Sequence, residues 1–126
     1  MARDEFQYAV LQVVPLVERN ERFNVGVVLF CRRRQFLAAR THLDPARLAA
    51  LAPNLAPGDI EPHLATICAL AAGDPAGGPL HVESQSERFG WITAPASTIL
   101  QAGPVHTGVT DDPEGTLTRL FRQLVG

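Results

Sequence analysis

The sequence predicts an α+β domain, a mostly antiparallel sheet with about three helices packed on one face. Two patterns carry that prediction. Apolar runs rich in β-branched residues, separated by short polar connections, occupy the chain up to Leu43. The apolar period then becomes helical as far as Gly73, and is helical again after Asp112.

Residues 8–14 are apolar on both parities, with Tyr8, Val10 and Val14 alternating against Ala9, Leu11 and Val13, as in a strand covered on both faces. Pro15 ends it. Residues 25–31 have the same character and predict a second central strand. Arg32, Arg33, Arg34 and Gln35 make a polar turn, and residues 36–43 return as a hairpin partner. Asp44-Pro45 is a helix start, an acidic N-cap followed by proline where a missing N–H costs nothing. Leu48, Leu51 and Ala52 mark the apolar side, and Pro53 stops the helix. A second helix begins near Asp59, with the stripe Ile60, Leu64, Ile67, Cys68 and Ala71, and ends at Gly73. Residues 74–79 form a loop too short to link independent domains, so residues 1–126 are expected to be one domain. Residues 80–83 and 88–94 read as strands, the latter placing Trp91 in the core. Short extended pieces follow at 99–100 and 105–108. Asp112 caps a last helix whose stripe is Leu117, Leu120, Phe121, Leu124 and Val125.

Composition narrows the chemistry. The hydrophobic fraction of 46% and charged fraction of 19% are globular values. The longest apolar run, Val25 to Cys31, is far shorter than the roughly 20 residues a membrane helix needs. The charged start at Arg3, Asp4 and Glu5 does not fit a secretory leader, so a cytoplasmic location without membrane association is expected. Cys31 and Cys68 read as reduced, interior thiols. Every basic side chain other than histidine is arginine. Without lysine there is no Walker A lysine, no kinase strand lysine and no Schiff base. A net charge of −2 supplies no field to attract nucleic acid. Arg32–Arg34 at a hairpin tip reads as a solvated turn, with phosphate contact the weaker alternative.

Two segments gather polar groups. The connection Glu18-Arg19-Asn20-Glu21-Arg22 reads as a solvated charged loop, or else as a site in which Glu18 or Glu21 is a base or metal ligand, or Arg19 clamps a phosphate or carboxylate. Asn24 and Gly26 beside it suggest a backbone constraint, because glycine inside a strand marks close approach by another group. The second segment holds Arg88, Trp91, Ser97, Thr98, Gln101, His106 and Thr107. Ser97 and Thr98 bond their own turn or a ligand. His106, set among small hydroxyls and glycine, reads either as a structural hydrogen-bonding residue or as a group that exchanges protons near neutrality. His42, His63, His81 and His106 show no metal-ligand spacing, and no nucleophile elbow occurs. No metal or cofactor is expected.

Two motifs together, Tyr8-Ala-Val-Leu…Pro15…Glu18-Arg19…Asn24-Val-Gly-Val-Val-Leu-Phe30 and Arg88-Phe…Trp91…Ala94-Pro95…Ser97-Thr98…Gln101…Pro104-Val-His-Thr-Gly108…Asp112-Pro113, resemble the bacterial DUF3037 family nearly end to end. The resemblance implies a small protein of unknown function, often encoded beside a kinase of the HipA toxin type. By position it implies a polar set of Glu18, Asn24, Arg88, Ser97, Thr98, Gln101, His106 and Thr107. Two functions follow as expectations. One is a non-enzymatic partner or regulatory module for a HipA-like kinase, binding through residues 18–22 and 97–108. The other is a small hydrolase or phosphoryl-handling enzyme using His106 with Glu18 or Glu21 and an arginine clamp, Arg19 or Arg88. The second requires the charged loop to lie within hydrogen-bonding distance of His106.

Overall fold

The computed structural model describes residues 2–15, 21–95 and 99–126. Five antiparallel strands form one sheet: β1 (Asp4–Val13), β2 (Phe23–Cys31), β3 (Phe36–Thr41), β4 (Leu100–Ala102) and β5 (His106–Thr110). Their order is β3-β2-β1-β4, and β5 also pairs with β1. β4 and β5 therefore lie end to end along one side of β1, opposite its C-terminal and N-terminal halves respectively. The α+β class stands. Strand β1 begins four residues before the predicted start, because Phe6 is buried beneath the last helix and Asp4 to Tyr8 are paired with β5.

Alternation along the two central strands divides the helices between the faces. Ala9, Leu11 and Val13 of β1, with Phe23, Val25, Val28 and Phe30 of β2, pack with Leu48 of α1 (Pro45–Leu51), Leu64 and Ala71 of α2 (Glu61–Ala72), and Phe89 of α3 (Gln85–Thr93). Phe6, Val27, Leu29 and Cys31 project the other way and meet Leu117 and Leu120 of α4 (Pro113–Leu124). Three helices do share a face, but the third is α3. The C-terminal helix takes the opposite side, which is why β2 is apolar on both parities. Each fully buried leucine in these layers contributes on the order of 2 kcal/mol.

The parity of β2 inverts at a bulge. Leu11 faces Gly26 and Gln12 faces Asn24, so Val25 is the extra residue and both Val25 and Gly26 lie opposite Leu11. A Cβ at position 26 would stand 2.8 Å from the Arg40 carbonyl oxygen and 2.9 Å from the Thr41 methyl. Glycine is the residue that fits there, as the sequence suggested. The bulge turns Asn24 to the α4 side of the sheet.

Residues 80–83 and 88–94 are not strands. A 3-10 turn spans Pro79–Val82, and α3 follows. The N-terminus of α3 is held by Ser84, whose Oγ accepts from the Glu87 N–H at 3.2 Å. The Ser84-x-x-Glu87 spacing is a helix-start signal. It was outweighed by the β-like composition of Phe89, Trp91, Ile92 and Thr93. In a helix, Phe89 and Ile92 share the inner face, which turns Trp91 outward, 59% exposed rather than in the core. The caps predicted at Asp44 and Asp112 form. Asp44 Oδ1 accepts from Ala46 N–H at 3.0 Å, and Asp112 Oδ1 from Gly115 N–H at 3.1 Å. Both cysteines are free thiols, Cys31 beneath α4 and Cys68 against β3 on the other face. Among the described residues, no helix is long and apolar enough to cross a membrane.

Candidate functional site

The polar residues singled out in the sequence fall in separate places. Glu18, Arg19, Ser97 and Thr98 lie outside the described residues. Asn24 and Gln101 both belong to the end of the sheet where β1 finishes. Gln12 is the register partner of each, of Asn24 on β2 and of Gln101 on β4, so the three side chains share the α4 face. Gln12 Nε2 donates to Asn24 Oδ1 at 3.1 Å, and Arg22 extends toward Gln12 Oε1 at 3.4 Å. Asn24 Nδ2 in turn donates to the Leu124 carbonyl at 3.0 Å. That carbonyl belongs to the last turn of α4, where backbone acceptors have no intrahelical donor. Asn24 is thus a tie between the bulged strand and the end of α4.

His106 lies farther along the same face, opposite Tyr8, with the two rings 5.2 Å apart and tilted by 34°. From Tyr8 to Val13, the register partner of Phe23, is five residues of strand, about 17 Å. Glu21 precedes Phe23 by two residues, so the pairing of His106 with Glu21 has that span to cross. Thr107 projects to the face opposite His106.

Arg88 is on the other side of the sheet and buried. Its guanidinium donates to the Glu83 carbonyl through one terminal nitrogen and to the Ala71 carbonyl at 3.4 Å through the other. Ala71 is in the last turn of α2, where a cation is favoured by the helix dipole. Among the described residues, its Nε has no hydrogen-bond partner. Arg88 clasps α2 to the start of α3. Two of the three hairpin arginines are also engaged. Arg34 pairs with Asp4 at 2.9 Å and bonds the Ala2 carbonyl, while Arg32 reaches Ser86 Oγ at 3.2 Å and stacks over Phe30.

Two features escaped the sequence. Glu87, exposed, lies one helical turn before Trp91. Its carboxyl is raised above the ordinary value of 4.5, first by a hydrogen bond with the Glu83 carboxyl and then by that group's charge. The signal was the Glu83-x3-Glu87-x3-Trp91 spacing, visible once 85–93 is taken as helix. The second is a hollow of about 620 Å³ between α2 and the start of β4, lined by Ile60, Ile67, Ile99 and Leu100 with Asp59, His63 and Thr66. Among the described residues no group of three histidine, cysteine or acidic side chains could hold a metal ion.

Neither the curated proteins nor the solved structures include a match to this chain. The family model described as "Protein of unknown function (DUF3037)" matches residues 8–125, almost the whole sequence, and the chain belongs to that family.

Proposed function

We propose that this protein is a non-enzymatic partner or regulatory module, and that what it engages is the neighbouring HipA-like kinase its family resemblance implies. The observation that carries the reading is Trp91, 59% exposed on the outer face of a helix whose other side is anchored in the core by Phe89. Tryptophan is among the residues enriched at binding hot spots, and this indole is held in water on a rigid element. Glu87, one helical turn before it, has its carboxyl raised above the ordinary range by a hydrogen bond with Glu83 and by that group's charge. A partner that seats the indole in an apolar pocket and sets an arginine or lysine against these carboxyls relieves their repulsion as it binds.

Of the sequence-derived polar set, Gln101, His106 and Thr107 extend this reading to the β4–β5 side of the sheet. Asn24 and Arg88 support it from inside by holding α4 and α3 in place. The test is calorimetric titration of the purified chain with the kinase encoded beside it. Trp91→Ala is expected to weaken binding by at least about tenfold. Its thermal midpoint should stay within about 2 °C of the parent's, since the side chain is mostly solvated. A properly folded pair that gives no heat of binding at micromolar concentration rules the reading out.

A further inference from the structure

We propose that β5 is a self-pairing edge, and that two copies of this chain join through it into one continuous antiparallel sheet. The argument starts from which backbone groups are spent. Val14 N–H donates to the Ile99 carbonyl at 2.6 Å, and Gly103 N–H to the Val10 carbonyl at 2.8 Å. The even-numbered residues of β1 therefore aim their backbone toward β4 and β5. In the β1–β5 register these are the pairs Tyr8–His106, Phe6–Gly108 and Asp4–Thr110. The alternate residues of β5, Thr107 and Val109, aim their N–H and C=O groups away from the sheet. Among the described residues, β5 pairs with β1 alone.

Natural edges are guarded by charge, proline or a covering element. The other edge, β3, has α2 packed along it and carries Arg40. Among the described residues, β5 carries no arginine, proline or covering helix. Its residues are His106, Thr107, Gly108, Val109 and Thr110, with Val109 61% exposed and Val105, just before it, 42% exposed.

A second copy fits this edge because the edge is complementary to itself. Set antiparallel about a twofold axis at Gly108, Thr107 of one copy faces Val109 of the other, and each is a residue whose backbone groups point outward. Both members of each pair are then free to exchange two hydrogen bonds. Gly108, at the centre, is required within each copy, since a Cβ there would stand 2.7 Å from the ring of Phe6, its partner on β1. Charge agrees with the same orientation. The strand begins with His106 and is followed directly by Asp111 and Asp112. Antiparallel pairing brings the imidazole of one copy toward the carboxylates of the other and sets no like charges opposite each other. A five-residue strand buries less than the roughly 1,600 Å² of a standard interface, so the dimer is weak and depends on concentration.

Sedimentation equilibrium between about 10 μM and about 1 mM, with amide exchange followed residue by residue, tests this. The expected result is a mass rising from 13.6 kDa toward twice that value, while exchange at Thr107 and Val109 slows with concentration. Val109→Lys and Thr107→Lys, both at exposed side chains, should remain monomeric throughout with an unchanged circular dichroism spectrum. A parent chain that stays monomeric at about 1 mM overturns the proposal and leaves the edge to an extended segment of some other protein. So does a dimer that survives both lysine variants, or one whose Thr107 and Val109 amides exchange freely.

Discussion

Replacing Arg88 with methionine separates a strut from a contact residue. The methionine keeps most of the aliphatic stem and removes the guanidinium. Two bonds to backbone carbonyls disappear, those to Glu83 and Ala71. Hydrogen bonds from a charged donor contribute about 1.5–3 kcal/mol each. Against that loss, the variant no longer buries a cation whose Nε is without a partner, which returns part of the desolvation cost. Taking the offset as roughly half of that loss leaves a net destabilisation of about 1.5–3 kcal/mol. For a chain of 126 residues, an unfolding entropy of about 2.1 cal/mol/K per residue makes each kcal/mol worth about 4 °C. The midpoint of thermal unfolding, followed by circular dichroism, should therefore fall by about 6–12 °C. Arg88→Lys should fall between the two, since one ammonium cannot span both carbonyls as the planar fork does. A methionine variant melting within about 2 °C of the parent refutes the reasoning. If that same variant also abolished the proposed binding of a kinase, Arg88 would be a partner contact and its burial incidental.

Two further outcomes follow from the same geometry. Asn24→Ala removes the tie to the Leu124 carbonyl and the bond from Gln12, at a cost of about 1–2 kcal/mol, with amide exchange accelerated at the C-terminal turn of α4. Equal exchange in parent and variant there would show that the tie is idle. Glu87→Gln changes how stability depends on pH. Because the folded-state value of Glu87 is raised, its contribution is fully present below the ordinary value of 4.5 and is lost as pH rises through the higher folded value. The glutamine variant keeps a neutral side chain throughout, so it should gain on the parent as pH climbs toward neutrality. Thermal midpoints that run parallel across that range would contradict the shared-proton account.

Much of the layout was legible because it rests on short-range chemistry. The caps at Asp44 and Asp112 need only a carboxylate and a backbone N–H two or three positions on. The strip at 25–31 reads as doubly covered because seven apolar residues in a row leave no solvent face. Gly26 announced a close approach, and the Arg40 carbonyl is what approaches. The failure at 80–94 came from a contest of signals. Phe89, Trp91, Ile92 and Thr93 are all strand-favouring types, while the start signal lay in Ser84 and Glu87 alone. Tertiary packing settled it, since a helix sets Phe89 and Ile92 on the core together, and Phe89 against Phe30.

The polar set was legible as residues but not as a place. Asn24 and Leu124 stand 100 positions apart in the chain, and no local pattern records that an amide at one meets a carbonyl at the other. Outside residues 80–94, sequence by itself determined the element types; it also determined the caps and the exclusion of lysine chemistry, because those depend on composition and on neighbours within a few residues. The tertiary structure alone decided which face each helix covers, where Asn24, His106 and Arg88 come to rest, and that β5 is left with an open side. Register and the Val25 bulge couple strands remote in sequence, and a shift of one residue would send every side chain beyond it to the opposite face.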